Sequence, residues 1–282
     1  METDLDDNQK YIDVLQVLKE SSPYDFTEYS SRSINRRIDK IIEDNELSIE
    51  QIIYRLKTNK EFVEYLVDAI TVNTTELFRD PEMWKNYIKE LDAIKFKPEI
   101  NIWHAGCSTG QEVYSNMIVL AELGLLKKTN IYASDISKTA ISIAKKGEYT
   151  YNFNFEKYYN NFKNIFPTEE EDIFYNYFSI DKKSDILKVD KKFVDKVNFF
   201  NHDLVKGKLP IDKKFDIIFC RNVLIYFNNE LQDNIVNRFY KRLNANGRLI
   251  LGAHELLSGF FKTKFIEKRL IYEKNNAFHF RY

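Results

Sequence analysis

The sequence predicts an α/β protein: a doubly wound, mainly parallel sheet preceded by a small all-helical region and interrupted by a small β insertion. Three observations point there. Apolar residues recur at helical spacing from about residue 8 to 70. After residue 72, short apolar runs alternate with helical segments. Residues 150–196 fit neither pattern. The expected division is a helical domain over 1–72 and a sheet domain over 73–282, with the insertion at about 150–196. Alternating strands and helices need crossovers that cover both sheet faces, which is why they imply parallel strands.

In the helical region, Ile34, Ile38, Ile41 and Ile42 lay an apolar stripe along 31–44. Ser48-Ile49-Glu50-Gln51 has the form of a capping box opening the next helix. The striped segment also carries Arg32, Arg36, Arg37 and Lys40. They form either a basic face for an acidic partner or a solvated face, because Asp39 and Glu43 fall at ion-pair spacing. Asp80-Pro81-Glu82 marks a further helix start, with an N-cap acid and proline at the first helical position. Candidate strands then occupy 99–106, 130–135, 196–203, 215–220 and 248–254. The helices between them cover 111–123, 137–146 and 228–243, the last ending before Asn246-Gly247. In the insertion, 173–189 reads as a hairpin, and 264–282 reads as a closing hairpin turning at Lys274-Asn275-Asn276.

Composition narrows the function. With 44% hydrophobic and 15% aromatic residues among 282, the chain can bury a sizeable core. The net charge of −1, from 42 basic and 43 acidic residues, lacks the basic excess of nonspecific nucleic-acid binding. The acidic first residues do not form a secretory signal, and no apolar run approaches the ~18 residues of a membrane span. Cys107 and Cys220 make no disulfide framework. A cytoplasmic, monomeric protein without membrane insertion is expected. His104, His202, His254 and His279 show no metal-ligand spacing, so no metal site is expected.

Ligands of doubly wound sheets bind at the carboxyl ends of the strands. Here those ends are Ala105-Gly106-Cys107-Ser108, Ser134-Asp135, His202-Asp203-Leu204 and Cys220-Arg221-Asn222. Gly106 lets backbone approach a ligand closely, and Asp135 suits ribose hydroxyls, because an ionised carboxylate only accepts hydrogen bonds. The 29 residues from Gly106 to Asp135 exceed the ~20 of a dinucleotide fingerprint. The loop also lacks the lysine of a phosphate loop, and Glu112 opposes a pyrophosphate at the following helix start. A ribose ligand with positive charge fits better, and S-adenosylmethionine has both features.

"NTTELFRDP", "AGCSTGQEVYS", "ASDIS", "FDIIFCRNVLIYF" and "LGAHE" together resemble, in order, the motifs of CheR-type chemotaxis receptor methyltransferases. The resemblance covers roughly residues 30–270 and implies a class I methyltransferase-like sheet, a helical N-terminal domain and an inserted β-subdomain. It also implies an S-adenosylmethionine-dependent protein-glutamate O-methyltransferase. Such an enzyme forms glutamyl methyl esters on the cytoplasmic helical region of chemoreceptors, for sensory adaptation. Carried over by motif, Asn73, Thr75, Arg79, Glu112, Asp135, Asp203, Leu204, Arg221 and Asn222 are cofactor positions. Tyr226 stands near the transferred methyl, with Arg79 and Tyr226 as the catalytic pair. Gln111 and Val113 replace the family's Glu and Pro, and His254, where the family has serine, is expected on the rim of the site. In the family the insertion contacts the receptor, and in some members it grips a receptor's C-terminal peptide by strand addition. The short glycine-free loop at 181–185 argues against such tethering here.

The acceptor glutamate needs no general base, since its pKa of ~4.3 leaves it ionised near neutrality. Because carboxylate and sulfonium charges cancel as the methyl moves, a tight Arg79–carboxylate pair would favour the ground state. Arg79 is therefore expected to position loosely. Tyr226 either orients the carboxylate by a neutral hydrogen bond or simply floors the site. Three alternatives remain open: an S-adenosylmethionine-binding regulatory module without turnover, a methyltransferase for another acceptor, and a nicotinamide-dependent oxidoreductase.

Overall fold

The computed structural model describes residues 3–71, 73–167, 172–257 and 259–275. Its first four helices are α1 (Thr3–Ser21), α2 (Ser31–Asn45), α3 (Ile49–Thr58) and α4 (Lys60–Ile70). They enclose a core of their own, which includes Val14, Leu18, Ile34, Ile38, Ile52 and Leu66. On α2, Ile34, Ile38 and Ile41 are buried, whereas Ile42 is half-buried at the stripe's edge. The capping box forms: Ser48 Oγ accepts from the Gln51 amide (3.3 Å) and Gln51 Oε1 from the Ser48 amide (2.8 Å). Among the described residues, none of the α2 basic side chains pairs with Asp39 or Glu43. Asp39 instead accepts the Tyr11 hydroxyl at 2.6 Å.

Helix α5 (Pro81–Leu91) starts with proline as expected, but Asp80 makes no side-chain cap. Its carboxylate turns to Arg221, a stronger charge-assisted partner.

The main sheet has the order β6-β2-β1-β7-β8-β10-β9. Its strands are β1 (Ile100–Ala105), β2 (Thr129–Asp135), β6 (Val197–Asn201), β7 (Phe215–Cys220), β8 (Leu243–Leu251), β9 (Phe265–Lys268) and β10 (Ile271–Lys274). The first five are mutually parallel, and β10 runs antiparallel to β8 and β9. Helices α6 (Gln111–Glu122), α7 (Lys138–Lys146) and α11 (Asn229–Arg242) make the crossovers, and α12 (Gly259–Lys264) precedes the last hairpin. Alternate strand residues feed two cores on opposite faces: Ile102, Ile217, Phe219 and Ile250 in one, Trp103, Ile218, Leu249 and Leu251 in the other. From β1 the chain winds outward to β6, then returns to lay β7 on β1's other side. The switch point lies between β1 and β7.

Two expectations about the last strands are corrected. Strand β8 begins at Leu243, well before residue 248; Asn246 takes a left-handed turn (φ 57) and the pairing with β7 slips between Phe215 and Ile217. The closing hairpin turns at Arg269-Leu270, both at positive φ, while Lys274 ends β10 with its buried ammonium on the Tyr240 (2.8 Å) and Leu243 (3.1 Å) carbonyls. The rest of the expected second strand, 276–282, lies outside the described residues, with His279.

The insertion comprises β3 (Glu148–Thr150), α8 (Tyr151–Ile165), α9 (Asp172–Tyr175), β4 (Phe178–Asp181), β5 (Ile186–Val189) and α10 (Lys191–Val194). Its strands form an antiparallel sheet in the order β3-β5-β4, with the expected hairpin between β4 and β5. Helix α8 was not anticipated. Its Tyr and Phe residues favour strands, but Tyr158, Phe162 and Ile165 fall on one helical face and bury against the main core, and packing overrides propensity.

Candidate functional site

A cavity of about 1140 Å³, open mouth included, lies where β1, β2, β6 and β7 end. Asn73, Thr75, Arg79, Glu112, Asp135, Asp203, Leu204, Arg221, Asn222 and Tyr226 all line it, so every anticipated site residue reaches one space. His254 does not: it is exposed and stands off the cavity wall. Cys107 lines the cavity, Cys220 is buried in the core behind it, and burial pushes both thiols well up, so they stay neutral.

After β1, the Gly106 and Cys107 amides both donate to the Ser134 carbonyl, at 2.8 and 2.9 Å, folding the loop over the end of β2. Gly106 has φ +82, and a Cβ there would sit 2.4 Å from Val223 Cγ2. Its smallness thus also serves the neighbouring loop after β7, not only a ligand.

Arg79 is held by its backbone. Phe78 and Asp80 on either side are left-handed (φ 51 and 58), and the Arg79 carbonyl accepts from Trp84 Nε1 (3.0 Å) and Arg221 Nη2 (3.1 Å). Such conformations persist only where the surroundings over-determine them. The Arg79 side chain remains half-buried in the cavity, its one side-chain hydrogen bond among the described residues a long 3.4 Å reach to the Thr74 carbonyl.

Arg221, with a side chain only 3% exposed, is the hub of an ion network. It donates to Asp80 Oδ2 (2.7 Å) and Glu112 Oε2 (3.1 Å), and Glu112 Oε1 lies 2.8 Å from His104 Nδ1. Asn116 accepts the Tyr87 hydroxyl and turns its amide to His104 Nε2, so the Nδ1 proton goes to Glu112. Burial pushes Glu112's pKa up, but the His104 hydrogen bond and the Arg221 charge outweigh it, and the carboxyl is held below its usual range. With Glu112 neutralised in this way, its case against a pyrophosphate is weaker than the sequence implied.

The opposing acids supply that case. Asp135 accepts the Ser108 (2.8 Å) and Ser137 (3.0 Å) amides, and Asp203 accepts the Val205 amide (2.9 Å), while burial pushes both pKa values up. Among the described residues Asp203 Oδ2 is buried without a hydrogen-bond partner and neither ring nitrogen of His202 has a side-chain partner, and burial lowers the His202 pKa to about 4. Among the described residues no cationic side chain hydrogen-bonds these carboxylates as Arg221 does Glu112, and the charge of Lys206 only partly offsets burial at Asp203, so they disfavour phosphate and suit a ligand bearing hydroxyl and amine donors. S-adenosylmethionine has those groups. Among the described residues, no group of His, Cys, Asp and Glu could hold a metal ion.

The helical region contributes wall for which no motif or periodicity carries a signal. Tyr29 lines the cavity, pairs as an isolated bridge with Phe227 and sets its ring edge-on to that of Phe227 at 4.8 Å. The Ser30 amide donates to the Tyr226 carbonyl (2.8 Å) and the Asn228 amide to the Glu28 carbonyl (3.0 Å). Burial pushes the Tyr226 phenol's pKa up, opposed by the charges of Arg37 and Arg79 nearby.

Residues 73–270 match the family model described as CheR methyltransferase, SAM binding domain. Cher3 of Pseudomonas putida is 34% identical over 234 residues, 82% of this chain and 83% of that protein. The chemotaxis protein methyltransferase Cher2 of the same species is 31% identical over 80% of this chain and 82% of its own. The chemotaxis protein methyltransferase of Campylobacter jejuni is 28% identical over 263 residues, 92% of this chain and 94% of its own. A cavity at the switch point of a doubly wound sheet, acidic where a ribose and amines would lie, thus belongs to a member of the CheR methyltransferases, S-adenosylmethionine-dependent enzymes of chemotaxis.

Proposed function

We propose that the protein transfers a methyl group from S-adenosylmethionine to glutamate side chains on the cytoplasmic helices of chemotaxis receptors, acting in the cytoplasm. The observation that carries the reading is the convergence of Arg79 and Tyr226 on one cavity with the four strand ends. When bound, the cofactor supplies an electrophilic methyl on a sulfonium. Asp135 and Asp203 accept its hydroxyl and amine hydrogens, Asn73, Thr75 and Asn222 add neutral polar contacts, and Leu204 packs beside it. Glu112 and Arg221 shape the wall between β1 and β7.

The acceptor carboxylate arrives ionised, so the site has only to place it. Tyr226 is suited to that, because a phenol with an ordinary pKa of ~10 is a neutral donor at neutral pH and burial pushes this one further up. Arg79, tied by one long hydrogen bond among the described residues, positions the acceptor without clamping it. Arg36 and Arg37 on α2 bear on Tyr226 electrostatically, and Arg37 Nε is buried without a partner. This supports the reading of α2 as a basic face for an acidic receptor helix.

The test is incubation with radioactive cofactor and receptor cytoplasmic fragments, followed by mass spectrometry. Base-labile label at glutamate is expected, and label on other residues or none at all would overturn the reading. Arg79→Lys is expected to lower kcat at least about tenfold, since the planar fork that reaches the acceptor is lost. Wild-type affinity together with wild-type turnover in that variant would remove Arg79 from the catalytic pair.

A further inference from the structure

The turn after β8 runs Gly252-Ala253-His254-Glu255, and its acid points inward: Glu255 is 4% exposed. Its carboxylate gathers four backbone amides. Oε2 accepts from Gly252 (2.7 Å) and Asn222 (2.7 Å), and Oε1 from Val223 (2.8 Å) and Ile225 (3.3 Å). The amides replace the water an exposed carboxylate would have, and a buried anion without such donors is strongly disfavoured. Carboxylate and loop therefore hold each other in place.

Three of those donors lie in the loop that leaves β7 and enters the cavity. Asn222 there is left-handed at φ 59, a short 3₁₀ turn spans Leu224–Tyr226, and the Tyr226 amide donates back to the Val223 carbonyl at 3.1 Å. Val223 packs so closely on Gly106 that no Cβ fits between them. The fourth donor, Gly252, is confined by the same carboxylate: a Cβ there would sit 2.8 Å from Glu255 Oε2 and 2.9 Å from the Asn222 nitrogen. Gly252 is not in the left-handed region, so space alone requires glycine. Glu255 itself does not line the cavity.

We propose that Glu255 is a positioning residue which, by gripping the amides of Asn222, Val223 and Ile225, sets where Asn222 and Tyr226 stand and so governs cofactor affinity without touching the cofactor. The inference rests on the family's cofactor and is independent of the proposed acceptor. Glu255→Gln turns one accepting oxygen into an amide NH2 that faces two N–H donors. Gly252→Ala keeps the charge and crowds it out of position.

The full-length wild type and both variants would be compared by amide hydrogen exchange, by thermal melting and by calorimetric titration with S-adenosylhomocysteine. In Glu255→Gln, exchange at Asn222, Val223 and Ile225 is expected to quicken at least about tenfold and affinity to fall on the order of tenfold. Gly252→Ala shifts the same amides in the same direction, and it decides the matter alone if Glu255→Gln does not fold. Adding Asn222→Ala to Glu255→Gln costs little beyond the worse single variant, because the two act in series. A carboxylate that merely stabilised the fold would lower the melting temperature and leave the affinity of the folded protein intact. Affinities within about twofold of wild type in the folded variants, or losses that add with Asn222→Ala, would overturn the proposal.

Discussion

On the β1 and β7 side of the cavity, Glu112 divides its carboxylate between His104 and Arg221, and Asp80 takes another edge of the same guanidinium. On the β6 side, among the described residues, Asp203 Oδ2 is buried with no hydrogen-bond partner and the His202 ring has no side-chain partner. The paired wall matches its charges without a ligand and acts as framework, although Arg221 Nε has no hydrogen-bond partner among the described residues. The carboxylate of the unpaired wall keeps accepting capacity free for water or for a ligand that brings donors. The difference in charge pairing assigns the acceptor role toward a ligand to the β6 wall and the supporting role to the wall of Arg221.

The largest expected effect is on the paired wall. Arg221→Ala leaves Glu112 buried beside His104 without its main counter-charge and should cost about 3–5 kcal/mol in urea unfolding. A loss under about 1 kcal/mol would mean that the network is slack and the contrast between the walls unreal.

Next comes acid sensitivity on the unpaired wall. Burial lowers the His202 pKa from 6.5 to about 4 in the folded protein. A base so depressed adds stability that is present above its unfolded pKa and is lost as pH falls from 6.5 toward 4. Between about pH 7 and pH 5 the wild type should therefore lose about 2 kcal/mol more than His202→Asn. Equal losses in the two proteins would show that the ring is not held neutral. The smallest effect sharpens the comparison most. Asp203→Asn should leave unliganded stability nearly unchanged, yet weaken S-adenosylhomocysteine binding about tenfold in calorimetry. Unaltered affinity would mean that the orphan oxygen meets no ligand donor.

Much of this was legible because chemistry at strand ends is local. Gly106, Asp135, Asp203 and Asn222 each follow an apolar run, and the sheet's topology alone gathers them. The parts that escaped depend on distant partners. Asp80 reads as a helix cap until Arg221, 141 positions on, claims it. Glu255 sits in an unremarkable turn, and three of its four partners lie 30 to 33 residues upstream. Tyr29 precedes a helix whose periodicity says nothing of a cavity. Helix α8 carries strand-forming residues, and only the core it lands on makes it helical.

The bridge between Tyr29 and Phe227 has an implication for engineering. The family's matching segment opens at residue 73, yet the cavity's aromatic flank and the anchor on Tyr226's carbonyl come from before it. A chimaera that kept this sheet and borrowed another protein's leading helices would inherit a different flank. Its cofactor preference and turnover would then drift although no strand end had been altered.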